Sequence, residues 1–182
     1  MSNDAKSIKI TGTNNRYLIK LANREKKEPT KRVFMNKHEL SEKKLTFDIQ
    51  LNYLQEIYND SEFLFKEQLL MKQELEKKIS NYKQQDIYKN LFDISNFIDF
   101  QSVIDKLLEC KMKCYYCNCE IFILYDNVRE TYQWSVDRID NNKGHNKDNF
   151  VISCLSCNIK RRKRTIDKFL FSQNLNIVKS IT

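Results

Sequence analysis

The sequence predicts an α+β chain that is mostly helical, with a helical region first and a small strand–loop–strand–helix module after it. Three observations carry this expectation. The chain holds only 2 Gly and 1 Pro among 182 residues, which favours helices joined by short polar turns over a many-turned all-β or disordered chain. Three stretches before residue 112 place apolar side chains at helical spacing. Beyond them, two cysteine pairs, Cys114-Tyr-Tyr-Cys117 and Cys154-Leu-Ser-Cys157, bracket a segment of alternating and turn-forming residues.

Residues 1–45 are polar and basic. Their apolar content is concentrated at Tyr17-Leu18-Ile19, and Pro29 lies in a basic stretch from Arg24 to Arg32, so they read as a loosely ordered arm. A helical region is expected over 46–94. Thr46 is placed to cap a first helix in which Phe47, Leu51, Leu54 and Tyr58 recur at spacings of four, three and four. A second helix is expected from Ser61 to about Tyr82, with Met71, Leu75, Ile79 and Tyr82 on one stripe. The i,i+4 pairs Glu62/Lys66 and Glu74/Lys78 would lie on its solvated face. A third pattern, Phe97, Phe100, Ile104, Leu107 and Leu108, opens a module assigned to residues 95–175. Residues 176–182 remain as a tail.

Within the module, Glu120–Tyr125 is a short apolar, β-rich run. Tyr132–Ile139 alternates as a strand does, Asp140-Asn-Asn-Lys-Gly144 is a turn by composition, and Phe150–Ser153 is a second strand. A helix is expected from Ser156, and Thr165 is placed to cap a last helix with Ile166, Phe169 and Leu170.

The net charge is +8 and unevenly placed. Residues 141–182 carry nine Lys or Arg against two Asp, clustered at Lys160-Arg161-Arg162-Lys163-Arg164. Such a run is a solvated helix face, a nuclear-import signal or a polyanion-binding patch. No apolar run approaches membrane-spanning length, and the N-terminus lacks a signal-peptide pattern. The expectation is a soluble protein of the cytoplasm or nucleus with no membrane partner. In a reducing compartment six Cys read as metal ligands and free thiols.

Thiolates three residues apart reach one ion from a single turn, and two such pairs complete a tetrahedral zinc shell. Cys114, Cys117, Cys154 and Cys157 are therefore the expected ligands of a structural Zn2+. Cys119 is an alternative to Cys117, and Cys110 and Cys119 are otherwise expected as buried free thiols. Residues 118–153, between the pairs, are long enough for a hairpin with its own chemistry.

Asp137-Arg138-Ile139 at a strand end, Gly144 in a loop, Asn149, then Cys154-Leu-Ser-Cys157-Asn158 and a basic helix resemble the zinc-containing HNH endonucleases over about residues 105–165. The resemblance implies a ββα-metal fold that hydrolyses DNA phosphodiester bonds with one Mg2+ or Mn2+. Asp137 and Asn158 would be ligands of that cation, and Asn149 would hold the loop by side-chain hydrogen bonds. Lys160, Arg161, Arg162, Lys163 and Arg164 would contact DNA.

The chain departs from the family at one position. Where the family has its general base, a histidine, this chain has Arg138, which cannot accept a proton. Arg138 suits a contact to the phosphate instead. Either His145 or Asp140 supplies the base, or cleavage has been lost. His145 is otherwise an exposed loop residue or a phosphate contact, and Asp140 a turn acid. The alternative reading is thus a non-catalytic, zinc-dependent module that binds nucleic acid. A protein-interaction role for the helices of residues 46–110 is a third reading. Oligomeric state is not encoded in any of these features. The richness in Lys, Asn and Ile fits an AT-rich genome and is compatible with a viral or mobile-element source.

Overall fold

The computed structural model describes residues 28–38, 40, 45–59 and 65–174. Most of the expected arm, the helix start at Ser61, Glu62 and the 176–182 tail lie outside them. The described chain is α+β, with six helices and one two-stranded antiparallel sheet. In order these are α1 (Val33–Lys37), α2 (Phe47–Tyr58), α3 (Lys66–Tyr88), α4 (Phe100–Glu109), β1 (Trp134–Arg138), β2 (Phe150–Cys154), α5 (Leu155–Arg161) and α6 (Ile166–Asn174). No helix among the described residues is long and apolar enough to cross a membrane.

Local chemistry explains most boundaries. Thr46 Oγ1 accepts the Ile49 N–H and starts α2. Asp99 accepts the Ser102 N–H at 2.8 Å while Ser102 Oγ accepts the Asp99 N–H at 3.1 Å, a reciprocal cap that starts α4. The apolar stripes point inward as their spacing requires, with Leu54, Met71, Leu75, Ile104 and Leu107 all buried. The Glu120–Tyr125 run is not a strand. It forms isolated bridges, Lys113 with Glu120 and Phe122 with Gln133, and is held from α2 by one buried amide. Gln50 accepts the N–H groups of Ile123 and Leu124 at 2.9 Å each and donates to Leu124 O at 2.9 Å and Leu45 O at 3.1 Å.

Three expectations need correcting. Residues 28–38 are not a loose arm: Arg32 N–H donates to Asp126 O at 2.7 Å, Val128 N–H donates to Thr30 O at 2.8 Å, and Met35 is buried. Glu74 and Lys78 do not lie on a solvated face either. Glu74 is buried in an ion pair with Arg32, and Lys78 reaches Trp134 O and, at 3.1 Å, Gln133 Oε1. One continuous buried cluster runs from Met35 to Phe169, so the boundary expected near residue 95 does not divide the core.

Strands β1 and β2 pair in the register Trp134–Cys154, Ser135–Ser153, Val136–Ile152, Asp137–Val151 and Arg138–Phe150. Helix α5 follows β2 without a loop, and α3 lies alongside. The Val136 N–H donates to Tyr82 Oη at 3.0 Å.

Lys78 sets a pH dependence. Burial, with Arg32 nearby, lowers its pKa from 10.5 to about 7 against the opposite pull of Glu74. Between those values the unfolded chain binds a proton that the folded chain lacks, so this contribution to stability rises with pH over that window. The unfolding free energy of the wild type relative to Lys78→Met should therefore increase from pH 7 to pH 10 in urea titrations. A constant difference would place Lys78 in water.

Candidate functional site

The cysteine pairs meet because two different local structures aim them at one point. After α4 the chain turns through Lys111 and Met112, both at positive φ (51° and 49°), and Cys114 N–H donates to Cys119 O at 2.9 Å. Asn118, at φ 54°, closes the first pair by donating its N–H to Cys114 O at 2.9 Å. Asparagine tolerates this left-handed conformation better than most residues. Cys154 ends β2 and caps α5, and its Sγ accepts the Cys157 N–H at 3.4 Å.

The Sγ atoms of Cys114, Cys117, Cys154 and Cys157 all lie within 4.8 Å of one another. Zn–S bonds of about 2.3 Å imply tetrahedral S–S edges of roughly 3.8 Å, and Cys117 and Cys154 are 3.9 Å apart. Donor type, number and spacing fit a metal ion such as zinc. A hydrogen bond from Cys154 lowers the pKa of the Cys114 thiol, against the desolvation that opposes it. Cys119 Sγ is 3.3 Å from Cys117 Sγ but outside the set. Cys110 bonds Leu107 O, and both extra thiols are half-buried rather than buried.

Asp137 and Asn158 line one cleft of about 510 Å³ together with Tyr82, Lys89, Arg138, His145, Arg162 and Lys163. Their arrangement does not fit the cation assigned to them. Asp137 is 5% exposed and Arg161 0%. Arg161 Nε and Nη2 donate to Asp137 Oδ2 and Oδ1 at 2.6 Å each, and Tyr116 Oη donates to Oδ2 at 2.6 Å. Burial, then Asp137 itself, pushes the Tyr116 phenol up, so it stays a donor. The carboxylate is already neutralised by a fixed fork. Asn158 turns its amide nitrogen toward Val136 O at 3.1 Å and Ser135 Oγ at 3.2 Å, leaving Oδ1 as a neutral oxygen without a described partner. Mg2+ held through carboxylates needs more than this.

His145 is 4% exposed, not the exposed loop residue that was one expectation. Its Nδ1 lies 2.8 Å from Asp86 Oδ1 and its N–H donates to Asp86 Oδ2 at 2.6 Å. The ring stacks on Tyr82 with centroids 4.6 Å apart. Asp86 fixes the proton on Nδ1, which leaves Nε2 as an acceptor with no partner among the described residues. Desolvation lowers the His145 pKa against the opposing pull of Asp86, which favours the neutral ring. Asp140 Oδ1, the other base considered, accepts the Asn142 N–H at 2.9 Å in an exposed turn.

The loop that carries His145 is held at several points. Asn149 Oδ1 accepts the Asp140 N–H at 2.8 Å, and its Nδ2 donates to Asp140 O at 3.0 Å and Gly144 O at 2.9 Å. Arg138 Nη1 donates to Lys143 O at 3.0 Å and Asn141 O at 3.3 Å, so this side chain clamps the loop. Gly144 lies so close to α3 that a Cβ there would meet Leu91 O at 2.4 Å and Asp86 Oδ2 at 2.9 Å.

The five basic residues separate by role. Arg161 is inside. Arg164 closes α5 by donating to Lys160 O at 2.5 Å and Arg161 O at 3.4 Å, and reaches Ser172 Oγ at 3.0 Å. Lys160, Arg162 and Lys163 make no side-chain ion pair with any described residue and line surface clefts. Asp86 escaped the sequence reading, although continuing the Met71–Tyr82 stripe by four residues lands on it: an acid at a core position.

Compared with known proteins, the chain matches no family model, no curated protein and no solved structure.

Two outcomes test this geometry. Purified protein should hold about one zinc per chain by elemental analysis, and a strong chelator should unfold it, since such sites contribute on the order of 10 kcal/mol. Full native circular dichroism after complete chelation would show the cysteines are not a metal site. Gly144→Ala should cost about 1–3 kcal/mol, read as a lower urea midpoint. An unchanged midpoint would place the loop further from Asp86.

Proposed function

We propose that the chain is a zinc-stapled, HNH-type endonuclease that hydrolyses DNA phosphodiester bonds, with His145 as the general base. One observation carries the reading: an imidazole with Nδ1 fixed by the buried Asp86 and Nε2 free, in a cleft lined by Lys89, Arg138, Arg162 and Lys163. A base is useful only if its acceptor nitrogen faces the proton it takes and is neutral when needed. His145 lines the cleft, its Nε2 has no partner among the described residues, and burial favours its neutral form, which supports the assignment.

In this reading the cleft's cations hold the scissile phosphate. Nε2 takes a proton from a water as that water's oxygen attacks phosphorus, and Asp86 stabilises the imidazolium that forms. The added negative charge on the phosphoryl oxygens falls among guanidinium and ammonium groups, the bond to the leaving oxygen breaks, that oxygen takes a proton from solvent water, and the imidazolium returns its proton to solvent. Zinc at the cysteines would hold the knuckle against the strand–helix junction and lies outside these steps.

A second reading is favoured by Arg138 in the family's histidine position and by the neutralised Asp137. It is a zinc-dependent module that binds nucleic acid without cutting it.

The deciding assay is relaxation of supercoiled plasmid, with and without added Mg2+ or Mn2+. His145→Ala and Asp86→Asn should each lower the rate by about 10²–10⁴-fold while plasmid binding persists. The wild-type rate should rise with pH through an apparent pKa below the usual histidine value. Full cutting by His145→Ala would remove the assigned base, and binding without cutting by the wild type would select the second reading.

A further inference from the structure

The basic surface does not stop at the cleft. A groove of about 970 Å³ between α5 and α6 is lined by Lys160, Arg162, Lys163, Arg164, Lys168 and Ser172, among others. It shares Ile159, Arg162 and Lys163 with the cleft that holds His145. These three residues form the ridge between the two hollows. The reversal at Arg162, which has φ 54° and ends α5, turns the chain at the ridge and sends α6 off as the groove's far wall.

The charges on this ridge and groove have no internal use. Lys160, Arg162, Lys163 and Lys168 make no side-chain hydrogen bond or ion pair with any described residue, unlike Arg161 and Arg164 beside them. Four like charges left without carboxylates repel one another, and a polyanion relieves that repulsion by displacing its own counterions. Between them Ile159 is 60% exposed. A single exposed isoleucine on an ordinary surface means nothing. Here it projects from the ridge where two cationic hollows meet, an arrangement suited to phosphates on either side and an apolar contact at the middle.

We propose that the cleft and the α5–α6 groove form one seat for duplex DNA, with Ile159 as an apolar wedge over which the duplex bends. Cations in the two hollows draw phosphates down on both sides. The isoleucine enters between base steps at the crest, and the unstacking it causes is offset by the contacts that the bend permits. The proposal takes the polyanion to be the DNA of the nuclease reading and adds how that DNA is shaped. Its test is independent of cleavage.

The full-length, zinc-loaded protein is titrated into a phosphorothioate duplex of about 20 base pairs, roughly two helical turns, with a donor and an acceptor dye at its ends. Binding should raise energy transfer, and the duplex should bind more tightly than either strand alone. Lys168→Gln, which lies outside the cleft, should weaken binding and make the log–log salt dependence shallower by about one. Ile159→Ser should abolish the rise in energy transfer while leaving the salt slope unaltered. An unbent duplex on the wild type, a slope indifferent to Lys168→Gln, or tighter binding of the single strand would overturn the proposal. Bending without plasmid cleavage would sustain it while removing the nuclease reading. Cleavage of an unbent duplex would do the reverse.

Discussion

The buried fork between Arg161 and Asp137 is the contact on which the module's arrangement depends. It joins the end of β1 to the end of α5, and the Tyr116 hydroxyl adds the cysteine knuckle to the same carboxylate. Removing one partner of such a pair leaves a charge without compensation and costs about 3–5 kcal/mol. It also decides the electrostatics of the cleft. Asp137 is the one carboxylate among the residues lining the cleft, and because Arg161 neutralises it, the sign there is set by Lys89, Arg138, Arg162 and Lys163. The lining of the cleft is therefore net positive, which it would be less with Asp137 unpaired.

A second consequence concerns how the loop imidazole is held. A side chain on a paired strand inherits its direction from the pleat, and position 138, at the end of β1, would give that support to a histidine. This chain puts arginine there and carries its imidazole on the connecting loop, where nothing fixes direction unless other groups do. Arg138 clamps two loop carbonyls, Asn149 ties Asp140 to Gly144, and Asp86 takes both the main-chain N–H and the ring nitrogen of His145. The loop becomes as determined as a strand. Gly144 follows from the same requirement, since only a residue without Cβ lets the loop approach Asp86 and Leu91 so closely.

Periodicity and capping made the helices legible: the α2 and α3 stripes, Thr46, and the helix that follows Cys154. The cysteine spacing gave the cluster, because a chelate of two three-residue pairs depends on little else. The misreadings within α3 and α5 involve charged side chains. Glu74 and Lys78 look like a solvated pair at i,i+4, and Arg161 looks like its four basic neighbours, because charge carries no mark of burial until a partner is known. The partners are Arg32, Trp134 and Asp137, each more than twenty residues away, and Asp86 meets His145 across 59 positions. Local sequence cannot encode such pairings, although the acid that continues the α3 stripe was a visible anomaly.

That stripe also settles how the two halves relate. Lys78, Tyr82 and Asp86 stand four residues apart on one face of α3, about 6 Å per step along the axis. They touch, in order, Trp134 O at the start of β1, the Val136 N–H at its middle, and His145 in the loop beyond its end. The helix therefore runs beside the hairpin as a splint, and each contact uses a polar tip on a side chain otherwise packed in the core. In a segment of residues 95–175 alone the shared core would be cut, the Val136 N–H would lose its acceptor and the imidazole would lose its carboxylate. In that sense the helical region is part of the site.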